Sequence, residues 1–245
     1  MSKQRRDLRL LLLQSAPEER WELQVQWYTR GFELQPGQVV SYDAVTQPLN
    51  PEIVDGYDAV VLGGSVLYRV SQSQHDQLDH LADIVRHCVA VGQPLLAVCY
   101  GAHVLAHALG GAVEYMPHRK ELGTYNLHLL APGREDALFH DMPEIFKANC
   151  GRTDDVIQLP VTAVPLVNSE LVQFHAFKVA GKPVYGLQFH PELDKESVLK
   201  GMQVAYEHGT YFDSEEEYRV QCAGVSETPE AASLLKKFID RVVLS

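Results

Sequence analysis

Three short stretches of the 245-residue chain hold residue types that can carry covalent chemistry. In Pro94-Leu-Leu-Ala-Val-Cys99-Tyr-Gly101-Ala-His103 an apolar run leads into a cysteine, a glycine and then apolar residues at helical spacing. A strand, sharp turn and helix of this kind pushes the thiol out beyond the sheet, and the helix N-terminus favours the reactive thiolate. Ala97 and Gly101 are small enough to keep side chains from colliding at such a turn. A buried structural cysteine that happens to precede a helix fits the same residues.

A nucleophilic thiol needs a base. His190 in Val184-Tyr-Gly-Leu-Gln-Phe-His190-Pro191-Glu192 closes another apolar strand and has a carboxylate two positions on. Residues two apart in an extended segment share a face, so Glu192 can accept from one imidazole nitrogen while the other faces the thiol. That carboxylate would fix the tautomer and stabilise imidazolium, the third role in a nucleophilic triad. His-Pro-Glu could equally end a strand, and only its pairing with the Cys99 turn selects the catalytic reading. In Leu62-Gly63-Gly64-Ser65 a glycine turn follows a further buried strand. Backbone N–H groups near Gly64 and at Tyr100 could serve an oxyanion, although a strand-ending turn reads the same way.

Elements able to position these groups follow from periodicity. Leu8 to Leu13, Val39 to Tyr42, Tyr57 to Leu62 and Pro94 to Val98 read as strands, alternating with helices over Trp21 to Arg30, Asp76 to Val91 and Ala102 to Leu109. Gly92 and Gly110-Gly111 stop the last two. From Val113 to Val184 the strands become short, as at Tyr125 to Leu130, Val164 to Val167 and Val172 to Phe177, and an antiparallel or mixed section is expected. Helices return over Lys195 to His208, Glu215 to Cys222 and Pro229 to Val243, the last with Thr228 as its cap. Trp21, Trp27 and Tyr28 are expected in the core, and Glu215 to Glu217 in solvent.

Composition excludes several classes. Lys and Arg number 21 against 32 Asp and Glu, a net charge of −11 that argues against nucleic acid or anionic lipid as partner. No apolar run approaches the roughly 18 residues that span a bilayer. Lys3, Arg5 and Arg6 before Leu10 to Leu13 mimic a signal peptide, but the apolar core is short and charged residues follow. Four separated cysteines form neither a disulfide framework nor a zinc site, which suits reduced thiols and a cytoplasmic location. His103 and His107, or His80, Asp83 and His87, lack the further ligands a metal needs, so no metal or cofactor is expected.

Gly63-Gly64-Ser65, Ala97-Val-Cys99-Tyr-Gly101, Gly110-Gly111, Glu121-Leu-Gly123 and Gln188-Phe-His190-Pro191-Glu192, in this order, resemble the class I (triad) glutamine amidotransferases over roughly residues 40 to 195. The likeness is greatest to the glutaminase domain of GMP synthase and its stand-alone relatives. It implies a flavodoxin-like α/β three-layer sandwich, with a mostly parallel central sheet and a small antiparallel section. One domain over residues 1 to 245 is expected, with a helical extension from about 195. The resemblance also implies attack of Cys99 on the side-chain amide of glutamine, proton transfer by His190 oriented by Glu192, a γ-glutamyl thioester and release of ammonia. Ser65, His103 and Glu121 fall at positions expected to contact substrate.

The chain departs from that pattern at His103, where the family usually has Gln. It departs again at Asn149-Cys-Gly-Arg-Thr-Asp-Asp155, which lacks the usual histidine, and at Val66 in place of proline. These changes leave the catalytic core and alter the residues that read the substrate. A γ-glutamyl peptidase or hydrolase is therefore an alternative, as is a non-catalytic regulatory member; a DJ-1-like glyoxalase or chaperone fits His-Pro-Glu less well. A core of about 200 residues leaves no room for an ATP-using domain. Any ammonia acceptor is then expected on a separate synthase or ligase chain.

Overall fold

The computed structural model describes residues 3–16, 18–73, 76–207, 209 and 211–245. In chain order the first half gives β1 (Leu10–Gln14), α1 (Trp21–Gly31), β2 (Val39–Asp43), β3 (Ala59–Leu62), α2 (Leu78–Val91), β4 (Leu95–Val98), α3 (Tyr100–Ala108) and β5 (Ala112–Tyr115). The middle gives β6 (Glu121–Leu129), α4 (Ala131–Glu135), β7 (Ile145–Arg152), β8 (Asp154–Gln158), β9 (Ala163–Asn168), β10 (Ala176–Val179) and β11 (Val184–Leu187). The end is helical, with α5 (Lys195–Glu207), α6 (Glu215–Gly224) and α7 (Pro229–Phe238).

One nine-stranded sheet runs β2-β1-β3-β4-β11-β10-β9-β6-β7, and β5 pairs with β8 beside it. Pairing is parallel from β2 to β11 and antiparallel from β11 to β7. The parallel strands are apolar throughout because both faces are covered. Leu10, Leu12, Ala59, Val61, Leu96 and Val98 point to one core layer, shared with Tyr28 of α1 and Leu234, Leu235 and Phe238 of α7. Their sequence neighbours Leu11, Leu13, Val60, Leu62, Leu95 and Ala97 point to the other, against Leu81, Ile84 and Val85 of α2 and Val104 and Leu105 of α3. This is the expected flavodoxin-like three-layer α/β arrangement.

Several local expectations shift. The strand expected at Val172 to Phe177 forms instead at Ala176–Val179, and residues 172–175 are loop. β7 was hidden because Ile145–Arg152 mixes polar and apolar residues. Thr228 does not cap α7 with its side chain; its hydroxyl accepts from Asn149 Nδ2 at 3.3 Å. Tyr28 is core, while Trp21 and Trp27 are only half-buried. Glu217 is not merely solvated, since it pairs with Lys120 Nζ at 2.8 Å. His208, expected at the end of a helix, lies outside the described residues.

The helical extension is not a uniform appendage. α7 belongs to the main core, whereas α5 and α6 form a small cluster of their own around Val198, Met202 and Val225. No helix among the described residues is long and apolar enough to cross a membrane.

Candidate active site

In open α/β sheets, ligands bind beyond the carboxyl ends of the parallel strands. Here β3 delivers Gly63 and Gly64 to that edge, β4 delivers Cys99, and β11 leads into Gln188 and His190. β7 runs in the same direction as β4, because the intervening antiparallel pairings reverse the chain an even number of times, and it brings Gly151 and Arg152. Of these, Cys99, Gly151 and Arg152 border a cleft of about 260 Å3 that is also lined by Ser65, Arg69, His103 and Tyr211.

Cys99 sits between β4 and α3 with φ 52° and ψ −109°, a backbone conformation that non-glycine residues rarely hold. The turn is fixed on both sides. Cys99 N–H donates to Leu187 O at 2.7 Å, and His103 N–H donates to Cys99 O at 3.1 Å. A methyl group on Gly101 would lie 2.3 Å from Leu62 O, so only glycine lets α3 start this close to β3. The thiol lies 3.6 Å from Gly151 O.

His190 Nδ1 lies 2.7 Å from Glu192 Oε1. Burial pushes the imidazole towards neutrality, but the Glu192 carboxylate, and then the Coulombic and hydrogen-bond interactions with Cys99, outweigh it and raise its pKa well above the usual value. Its side chain is 14% exposed and that of Glu192 is 5% exposed, so water screens the pair little. Gly64 packs against both ends of the group: a methyl there would lie 3.1 Å from His190 Cε1 and 3.6 Å from Cys99 Cβ. Cys99, His190 and Glu192 are thus assembled at one point from β4 and β11, with Gly64 alongside and Tyr100 opening α3.

The expected substrate-contact residues divide. Ser65 and His103 line the cleft. Ser65 Oγ donates to Ser15 O at 2.6 Å and accepts from the N–H groups of Leu67 and Tyr68, so it also shapes the turn. His103 Nε2 lies 2.5 Å from Gln188 Oε1. Burial dominates its titration and brings the pKa down to about 4, although Asp154 and Gln188 favour the charged form, so the ring is neutral at pH 7. Glu121 does not reach the cleft. It is fully buried behind it, 3.1 Å from Arg152 Nε and 3.1 Å from His175 Nε2.

Glu121, Cys150 and His175 themselves bring a carboxylate, a thiol and an imidazole within 4.8 Å of one another. This second cluster does not line the cleft, and burial holds the Cys150 thiol well above its usual pKa. The Arg152 guanidinium occupies the Glu121 carboxylate and repels a cation there. Its arrangement holds Arg152 rather than a metal.

Sequence reasoning missed Arg69, Arg152, Asp154 and Tyr211, all of which line the cleft. Arg152 carried a faint signal, since it lies in the segment where the usual histidine is missing. Arg69 and Tyr211 carried none, because nothing local ties either to Cys99.

A model of the family described as Glutamine amidotransferase class-I matches residues 27–212. The chain belongs to this family. Class-I glutamine amidotransferases among curated relatives include a GMP synthase [glutamine-hydrolyzing] from Christiangramia forsetii, 33% identical over 58% of this chain and 26% of its own length. A shorter GMP synthase [glutamine-hydrolyzing] chain from Methanocaldococcus jannaschii, one subunit of its enzyme, is 36% identical over 41% of this chain and 51% of its own. The chain thus spans between a quarter and a half of the length of these relatives. A glutamine amidotransferase from Thermotoga maritima superposes with a TM-score of 0.75 at 20% identity, covering 97% of this chain and 99% of its own, a likeness that shows the fold.

Proposed function

We propose that the protein is a cysteine-dependent amidase that hydrolyses glutamine or a closely related γ-glutamyl amide and releases ammonia. The observation that carries this reading is the juxtaposition of Cys99, on a strained turn at the edge of a small cleft, with the His190–Glu192 pair at 2.7 Å, both Cys99 and His190 packing around Gly64. With the thiol's proton already held on His190, Cys99 Sγ bonds as thiolate to the side-chain carbonyl carbon. N–H groups of Gly64 and Tyr100 receive the developing oxyanion. As the tetrahedral species collapses, the carbon–nitrogen bond breaks and the leaving amine takes its proton from His190. Water, deprotonated by His190, then cleaves the γ-glutamyl thioester and frees glutamate and Cys99.

Ser65 and His103 are assigned to substrate contact, and Glu121 to holding Arg152 at the cleft wall. The curated relatives are named for GMP synthesis, and a separate synthase or ligase chain that consumes the ammonia is part of the proposal. His103 in place of the family's glutamine favours one second reading, a γ-glutamyl peptidase with an altered substrate. Incubation with glutamine and with γ-glutamyl dipeptides, following ammonia, free amine and glutamate, separates the two. Cys99→Ser is expected to abolish turnover of either; undiminished turnover in that variant would overturn the assignment.

A further inference from the structure

Attack on an amide gives no role to Arg69 and Tyr211, two polar side chains that line the cleft. Arg69 follows the Gly63-Gly64-Ser65 turn, and its guanidinium stacks 4.8 Å from the centre of the Tyr115 ring. Its basic neighbours Arg119, Lys120 and Arg152 are each paired with a carboxylate, whereas among the described residues Arg69 has no such pair. Tyr211 reaches the same cleft from the loop between α5 and α6 and stands close enough to feel the Arg69 charge.

Tyr211 is held there by construction. Its φ of 69° is left-handed, a conformation costly for a residue with a large side chain. Lys120 Nζ donates to Tyr211 O at 2.9 Å and to Asp213 at 3.1 Å, and pairs with Glu217 at 2.8 Å. Phe212 and Tyr218 pack edge to face at 5.3 Å just behind it. Burial, and then Cys99, raise the phenol pKa against the opposing pull of Arg69, so the hydroxyl keeps its proton as a donor.

We propose that Arg69 and Tyr211 form a carboxylate-binding subsite in the Cys99 cleft, selecting substrates by the free α-carboxylate of the γ-glutamyl group. This rests on reading the cleft as a γ-glutamyl amidase site. A guanidinium whose plane is fixed by an aromatic face offers paired N–H donors that match a carboxylate, and a protonated phenol adds a third. The carboxylate of the cleft wall, Asp154, already accepts from Ser71 N–H at 3.1 Å and Ser71 Oγ at 2.8 Å and so leaves the Arg69 fork open. The α5–α6 pair, which adds nothing to the main core, then has a reason to be clamped by Lys120: it carries half of the subsite.

Protection of Cys99 from iodoacetamide tests this without requiring turnover. Peptide mass spectrometry separates Cys99 from Cys222, the half-buried thiol. Glutaramate and pentanamide share an amide and a chain length, and differ in that only glutaramate carries a carboxylate. Glutaramate is expected to protect the wild-type thiol at concentrations about 10-fold or more below those of pentanamide, the size of a charged hydrogen-bonded contact. That ratio is expected to collapse in Arg69→Met, fall in Tyr211→Phe and be partly kept in Arg69→Lys. Equal protection by the two compounds in the wild type, or an unchanged ratio in Arg69→Met, would overturn the subsite while leaving the amidase reading standing. Continued turnover by Cys99→Ser would overturn the amidase reading and leave the protection ratio to decide the subsite alone.

Discussion

His190 is where the electrostatics of the site concentrate. Burial alone would keep its ring neutral; Glu192 at 2.7 Å, and then Cys99, reverse that preference and raise its pKa well above 6.5. The sign follows: imidazolium persists through neutral pH and is lost only as pH rises past the raised value. A reaction that needs imidazolium as proton donor to the leaving amine therefore keeps its rate above pH 6.5 and falls on the alkaline side. In Glu192→Gln the larger of the two attractions disappears, while burial and the Cys99 contact remain. The alkaline limb of kcat/KM should move to lower pH, and the rate at pH 8 should drop by roughly 10²- to 10⁴-fold, the range of a general acid–base contribution. A limb that stays in place would show that Glu192 does not set the charge on His190. His103, with a pKa near 4, stays neutral across this range and adds no limb of its own.

At the scale of elements, the close approach of α3 to β3 decides where the thiol sits. Gly101 touches Leu62, the residue that leads into Gly63-Gly64, so the helix start and the glycine turn are mechanically joined. Gly101→Ala places a carbon where the Leu62 carbonyl already is, at 2.3 Å, and backbone has to give way. Overpacking of this kind costs about 1–3 kcal/mol, and chemical denaturation should show it as a lower midpoint. The same displacement moves Cys99 relative to His190, so turnover should fall by more than the loss of folded protein explains. Gly224→Ala, at an open position, is the control expected to show neither effect. Among the other elements, α5 and α6 build their own small cluster, and Lys120 clamps the backbone of Tyr211 where it reaches the cleft.

The whole molecule depends on a buried ionic group that spans the antiparallel half of the sheet. Glu121 at the start of β6 meets Arg152 at the end of β7 and His175 just before β10, and the Glu121 and Arg152 side chains are wholly shielded from water. Burial opposes ionisation of Glu121, but His175 and Arg152 overcome it and bring its pKa below 4.5. Removing one member of such a group strands the others, so Glu121→Gln should lower the unfolding free energy by about 3–5 kcal/mol at pH 7. Because the folded value is depressed, this contribution is present above the unfolded pKa of about 4.3 and is lost as pH falls through the folded value. Urea unfolding of both proteins between pH 7 and pH 3 should show the difference narrowing only below about pH 4. A constant difference would mean that the effect is packing rather than charge.

The sequence by itself determined the parallel half of the sheet and the chemistry at its edge. Buried strands read as continuous apolar runs, and a cysteine, a glycine pair and a His-x-Glu segment at their ends are local patterns that survive without any knowledge of neighbours. Ala97 and Gly101 mark in the sequence the tight turn at Cys99, whose backbone is left-handed. Amphipathic strands of the antiparallel half carried weaker signals, and β7 and the position of β10 were legible only from their partners. Tertiary structure alone decided that Glu121 lies behind the cleft and that Arg152 replaces it at the wall, since a buried ion pair joins residues 31 apart and leaves no local periodicity. It also decided that Arg69 and Tyr211, far apart in the chain, face one small space beside Cys99. Chemistry that resides in one side chain is written where that residue stands, but a binding surface is a sum of long-range contacts and exists only once the chain has closed around it.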